Sequence, residues 1–309
     1  VLAAPGAWFS LSEVVLTDSS AGRTRFVPVT AGESAIAVNS GGIRWSVDRR
    51  YLLAAGFGAQ DVIKPANART VVRVGGDASD VAFIGRDRAV VFTSSEPCTF
   101  GKAFQVDFAA QTITPLRVDG VRDGIQVVAS LDDTVVVAHR VPGDRGLTLD
   151  GVSAIDVPSG VARRISKHGT VAAFTTSPPR VWITSGARSR VMTLSGDTIA
   201  RTQSVGAAAG IEGGRVAYAA RGTPPGVVHI AGADGPRPAD DPSFEAGGAV
   251  DQLIGGPGGD TVGVLWHDAD RTHLDVCVIA ERVCQTAFSS ELASDRVYLI
   301  ESVRTPVAT

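Results

Sequence analysis

Apolar residues in this chain come in bursts of four to six, rich in Val, Ile and Phe, and each burst is closed by Gly, Asp, Pro or Ser. An amphipathic helix needs apolar residues at intervals of three and four, so this spacing predicts short β-strands joined by tight turns. One unit recurs along the chain. Residues 41–56 read GGIRWSVDRRYLLAAG: an apolar strand, a polar turn and a second apolar strand. The same shape returns at Val81–Ser95, Val127–Arg140, Ala172–Gly186, Ala208–Gly222, Gln252–Asp268 and Ser290–Ser302. Anchored on one residue of each second strand (Leu52, Val90, Val136, Val181, Val216, Val262, Val297), the copies are 38, 46, 45, 35, 46 and 35 residues apart. After most copies two further strand-like runs follow around a hairpin turn, as in AFQVDFAAQTITPLRV from Ala103 and RVMTLSGDTIARTQSV from Arg190.

Four antiparallel strands per unit, at a period of roughly 40–45 residues, is the pattern of a propeller blade. The expected fold is therefore all-β: a single domain over residues 1–309, folded as a seven-bladed β-propeller of four-stranded antiparallel blades. The last copy has only its first two strands before the chain ends, while SEVVLTD and RTRFVPVTAG precede the first copy. Strands from both termini are expected to complete the final blade, which would remove an exposed sheet edge. The turn between first and second strands appears as SVDRR, GRDR, LDD, SPPR and GPGGD. In this it resembles the β-propeller superfamily, specifically WD-repeat-like and TolB-type blades. The Gly-His and Trp-Asp dipeptides of true WD repeats are absent from the pattern.

A net charge of −3 argues against a nucleic-acid binder, which needs a basic face to release counterions. No apolar run approaches the roughly eighteen residues of a membrane-spanning helix. Basic charge is carried almost wholly by Arg, lysine occurring only at Lys64, Lys102 and Lys167, and Ala, Gly, Val and Asp are heavily used. That bias fits a GC-rich bacterial genome such as an actinobacterium's. The chain opens on Val1 without a basic, then apolar, leader, as a trimmed chain or a mature exported one would. Cys277 and Cys284 flank an AER turn, where hairpin partners can face each other within the reach of a disulfide. Two readings stand: a bridge, which favours an oxidising compartment, or reduced apolar fillers alongside Cys98.

No Gly-x-Ser-x-Gly elbow and no His-Glu-x-x-His helix is present, and no catalytic residue is assigned. The local metal candidate is HDADRTHLD, where Asp268, Asp270 and Asp275 could offer oxygen ligands to calcium; the alternative is a solvated hairpin tip. Asp240 and Asp241 are neighbours on an extended backbone and point apart, which makes them poor catalytic partners. The four tryptophans (Trp8, Trp45, Trp182, Trp266) are too few for a lectin-type aromatic at one position of every blade, and packing between blades accounts for them.

Two irregular segments are expected to be loops, Gly56–Arg69 and Gly232–Gly248, emerging on opposite faces. The first carries the candidate binding residues Gln60, Asp61, Lys64 and Arg69 and is expected to be an excisable contact loop. The functional expectation is a monomeric, non-catalytic binding or scaffolding propeller, exported or envelope-associated, with a protein or small-molecule partner and no cofactor beyond calcium. The alternative is a lyase or hydrolase working at the central mouth. A mouth of Val, Ala, Ser and Gly favours binding; converging His, Asp, Glu and Arg around a metal favours the enzyme.

Overall fold

Consecutive strands along this chain pair with each other as antiparallel hairpins, and the hairpins gather into sheets of four. A computed structural model describes residues 80–290 apart from 97, 144–145, 204, 221–225, 238–239 and 257–258. Outside that span it describes 2–3, 13–18, 23–28, 43–46, 50–55, 59–64, 69–75 and 298–299. Six four-stranded antiparallel sheets are seen among these residues, each with its strands in sequence order. Sheet 1 comprises Ile43–Trp45, Leu52–Ala55, Ala59–Lys64 and Arg69–Gly75, and sheet 2 comprises Asp80–Ile84, Arg88–Glu96, Thr99–Asp107 and Thr112–Leu116. Sheet 3 runs through Gly124–Leu131, Thr134–Gly143, Gly146–Asp156 and Val161–Ser166, and sheet 4 through Thr170–Thr176, Pro179–Ser185, Arg188–Met192 and Thr198–Gln203. Sheet 5 holds Val205–Ile211, Arg215–Ala220, Val227–Ala231 and Ser243–Glu245, and sheet 6 holds Ala249–Gly255, Thr261–His267, Thr272–Val278 and Val283–Ser290.

Six of the seven sequence anchors, Leu52 to Val262, fall on second strands of successive sheets. Five of them, from Val90 to Val262, are fully buried. The reason is position within the stack. The second strand has a neighbouring sheet on each face, so it reads as an unbroken apolar run such as Val135–Ala138, whereas a half-exposed strand would alternate. The fourth strand is the outer edge, and Thr112–Leu116 is exposed along nearly its whole length.

The core is accordingly a series of interfaces. Ala82, Val90 and Phe92 of sheet 2 pack on Ile125, Val135 and Val137 of sheet 3. Val136 and Val152 of sheet 3 pack on Val181 and Ile183 of sheet 4, and Trp182 of sheet 4 packs on Val216 and Tyr218 of sheet 5. Ala217 and Val228 of sheet 5 meet Val262, Val264 and Trp266 of sheet 6. Trp182 thus joins neighbouring sheets, as the sequence suggests, with its ring centroid 5.8 Å from that of Tyr218. First strands of neighbouring sheets approach each other closely. A Cβ on Gly210 would lie 1.9 Å from the Phe174 carbonyl oxygen of sheet 4, and one on Gly255 would lie 2.3 Å from the Gly210 oxygen. Only glycine fits at either position.

The charged turn between first and second strands also acts between sheets. Arg50 of sheet 1 holds Asp87 of sheet 2 at 2.6 Å, and Tyr51 donates its hydroxyl hydrogen to the same carboxylate at 2.9 Å. Arg88 of sheet 2 in turn pairs with Asp133 of sheet 3 at 3.1 Å. These pairs are half-exposed, and each contributes about 0–1 kcal/mol.

In sheet 6, Cys277 and Cys284 are register partners across the third and fourth strands and are joined by a disulfide, with Cys98 left free. Of the seventh copy, Val297 lies outside the described residues. Tyr298–Leu299 pairs antiparallel with Leu2–Ala3, and Glu13–Asp18 pairs with Arg23–Pro28 as a separate two-stranded sheet.

Two expectations are corrected. Gly232–Gly248 is not a loop throughout, because Ser243–Glu245 pairs with Val227–Ala231 as the fourth strand of sheet 5. Gly56–Arg69 is not a long irregular loop, because Ala59–Lys64 is the third strand of sheet 1, paired with both Leu52–Ala55 and Arg69–Gly75. The β-branched pair Val62–Ile63 and the stop at Pro65 are the strand signal, masked in the sequence by the polar residues around them. Excising 59–68 would remove a central strand, so this segment is not a dispensable contact loop.

Candidate functional site

Each first strand runs away from one face of the stack and each second strand returns to it. That face therefore collects the starts of first strands, the ends of second strands and the second–third hairpins. The opposite face collects the charged first–second turns and the third–fourth turns. First strands of successive sheets lie against each other, so their starts converge.

Three local features shape this convergence. First strands of sheets 3 to 6 each carry a register shift near their start, between Val127 and Ala129, Val171 and Ala173, Val205 and Ala207, and Val250 and Gln252. Each is a β-bulge that leaves one residue unpaired and re-aims it. The unpaired residues are Val128, Ala172, Gly206 and Asp251. Next, sheet 3 has a tall second–third hairpin. Its first strand begins at Gly124 opposite Arg140, but second–third pairing continues through Val141↔Thr148 and Pro142↔Leu147 to Gly143↔Gly146. The last three pairs stand beyond the sheet and form a wall. Finally, Asp150 accepts the Gly169 backbone N–H at 2.5 Å, tying the foot of that wall to the start of sheet 4.

Together these border an open cavity of about 720 Å³ framed by sheets 3, 4, 5 and 6. Its lining residues are mostly small or aliphatic, including Val141, Val171, Ala172, Ala207 and Leu253, but polar atoms, among them the hydroxyls of Thr148, Thr170 and Thr184, present the larger part of its surface. Two carboxylates, Asp150 and Asp251, face this lining, and among the described residues that form it there is no lysine, arginine or histidine. Behind each carboxylate stands a histidine: His168 Nδ1 lies 2.9 Å from Asp150, and His267 Nδ1 lies 2.7 Å from Asp251. The hydrogen bonds from His168 and Gly169 hold the Asp150 carboxyl below the usual carboxylate range.

The residues singled out by the sequence do not assemble here. Gln60, Asp61, Lys64 and Arg69 lie on the third and fourth strands of sheet 1, with Lys64 and Arg69 register partners at the end of their hairpin. Asp268 sits on the cavity's face, at the sheet 6 hairpin tip, but its carboxylate is engaged locally. It accepts the Asp270 and Arg271 N–H groups at 2.9 and 2.8 Å and contacts His273 at 3.1 Å. Asp275 is buried, accepting from Trp266 Nε1 and Thr286 Oγ1, both at 2.7 Å. Asp268, Asp270 and Asp275 therefore do not converge, and no group of three or more His, Cys, Asp or Glu placed to hold a metal is found among the described residues. Asp241, in the loop before Ser243–Glu245, accepts from Tyr218 and from the Arg237 N–H, which folds that loop against sheet 5.

The most enzyme-like row in the molecule is sealed. Ser153 Oγ lies 2.8 Å from His139 Nε2, and His139 Nδ1 lies 3.2 Å from Asp123. Ser153 is 2% and His139 1% exposed, so the hydroxyl that would attack is at the closed end of the row. A nucleophile must meet its substrate within hydrogen-bonding reach of its base. This row cannot do so without opening sheet 3.

No family model and no curated protein matches the chain. Among solved structures it is similar to apo AztD from Citrobacter koseri, at 11% identity and TM-score 0.55, over 91% of this chain and 78% of that one. It is also similar to TolB from Acinetobacter baumannii, at 13% identity and TM-score 0.52, over 96% of this chain. The chain spans 63% of the length of that TolB chain. Hydrazine synthase from Kuenenia stuttgartiensis is a third, at 11% identity and TM-score 0.50, over 80% of this chain and 78% of that one. Repeated four-stranded sheets in sequence order, stacked through their faces, decide the matter. The fold is that of a β-propeller. Its sheets are blades, the resemblance to TolB-type blades is met in three dimensions, and the cavity lies where the blades' innermost strands begin.

Proposed function

We propose that this propeller is a non-catalytic binding or scaffolding module whose ligand seats in the mouth cavity. The observation that carries this reading is the cavity's composition. It has the volume of a small-ligand site, and its lining residues are mostly small and aliphatic, with fixed polar groups among them. The one nucleophile–base row in the described residues is buried in blade 3, away from that lining. An exported, envelope-associated setting belongs to the same reading. The Cys277–Cys284 bridge supports it, since disulfides persist in oxidising compartments.

The test is to fill the mouth. Thr170 is exposed at the start of blade 4's first strand and lines the cavity, so Thr170→Trp occupies the space without disturbing a buried contact. Compounds that raise the melting temperature of the wild type in a thermal-shift screen should lose that effect in Thr170→Trp. They should keep it in Arg237→Glu, which alters the opposite face. The reverse pattern, or turnover of an ester or glycoside panel that His139→Gln abolishes, overturns the proposal.

A further inference from the structure

Resting on the reading of the mouth as a ligand site, we infer that its ligand is an organic cation: an ammonium or guanidinium group on an aliphatic stem. Three properties of the cavity lead there. Among the described residues its charged lining groups are Asp150 and Asp251, both negative. A concave site of one sign with low-dielectric walls concentrates the opposite charge. Asp251 occupies the bulge position that Val128, Ala172 and Gly206 fill in blades 3, 4 and 5, so the carboxylate is placed where the fold re-aims a side chain. Among the described residues its Oδ2 is held by His267 and no partner of Oδ1 is found, so Oδ1 can accept from a ligand.

The walls define the rest of the ligand. Val141, Pro142, Leu149 and Leu253 offer an apolar surface for methylene groups, and Thr148 and Thr184 offer hydroxyls near the rim. A bare metal ion does not suit the site, because a hard cation needs several converging oxygen ligands and no such group is present among the described residues. A cavity of about 720 Å³ also exceeds an ion's needs and suits a chain of several heavy atoms. The same chemistry belongs to a free amine and to the Arg or Lys side chain of a peptide, so the test separates these sources.

Titration calorimetry on the full chain would use agmatine, the end-blocked peptide Ala-Arg-Ala, and glutarate as an anion of similar length. Agmatine should bind saturably and glutarate should not. Asp251→Asn should weaken agmatine about tenfold or more, the usual worth of a charge-assisted hydrogen bond. Thr148→Lys, an exposed substitution that places a competing ammonium on the hairpin wall, should weaken it similarly and guards against a misfolded Asp251→Asn. Tighter binding of the peptide assigns the cation to a partner's side chain; tighter binding of agmatine assigns it to a free amine. If agmatine does not bind, or binds equally to wild type, Asp251→Asn and Thr148→Lys, the cation assignment falls. Should other ligands still be lost in Thr170→Trp, the mouth reading survives that failure.

Discussion

Replacing Gly210 by alanine tests the claim that blades are spaced by backbone contact at their innermost strands. The added Cβ would lie 1.9 Å from the Phe174 oxygen and 3.0 Å from its carbonyl carbon. Ordinary Cβ atoms keep at least 3.0 Å from such an oxygen, so blade 5 must retreat from blade 4 by about 1 Å. Retreat is blocked on the other side, where the Gly210 oxygen already faces the open position of Gly255 in blade 6. Overpacking of this kind costs typically 1–3 kcal/mol, and the reduced freedom of the unfolded chain returns about 0.4–1 kcal/mol. The net expectation is a loss of about 1.3 kcal/mol and a fall in melting temperature of about 2 °C. Gly232→Ala is the control: it meets nothing within 4 Å and has no positive φ, so it should be neutral or slightly stabilising. Thermal unfolding followed by tryptophan fluorescence suits both variants, because Trp182 is buried at the blade 4–5 interface. If Gly210→Ala melts within about 1 °C of Gly232→Ala, the innermost strands are not in the contact described and the spacing argument fails.

Two further outcomes follow from the polar groups. Burial, then the Arg164 charge, hold His139's pKa below its ordinary value, with Asp123 opposing them. A folded-state pKa below the unfolded one means the contribution is complete above about pH 6.5 and is lost as pH falls through the folded value. Urea midpoints at pH 8, 6 and 5 should show a slope in the wild type that His139→Gln reduces, and an unchanged slope would contradict the burial. The Cys277–Cys284 bridge spans a sequence separation of 7 and should contribute about 2.5 kcal/mol through the unfolded chain. Non-reduced protein should titrate one thiol, that of Cys98, and reductant should lower the urea midpoint of the wild type but not of the Cys277→Ser/Cys284→Ser variant; three free thiols would rule the bridge out.

The sequence by itself determined what depends on local burial. Each second strand lies between two blades, so Val135–Ala138 and Thr261–His267 read as apolar runs, and these runs set the period that reveals the repeat. Glycine and aspartate at tight turns marked the hairpins for the same local reason. Ala59–Lys64 was not legible, because a strand that carries Gln60, Asp61 and Lys64 has the composition of a loop and is fixed only by its two pairing partners. The pairs Arg50–Asp87 and Arg88–Asp133 join residues 37 and 45 positions apart, so the charged turn motif reads as a solvated tip until the blades are stacked. The mouth is the extreme case. Asp150 lies on a third strand in blade 3 and Asp251 at a first-strand bulge in blade 6, and nothing in either local sequence relates them. Only the turning of successive blades brings their strand ends to one face, because side-chain patterning encodes which face of a strand is buried, while the packing angle between sheets decides which distant ends meet.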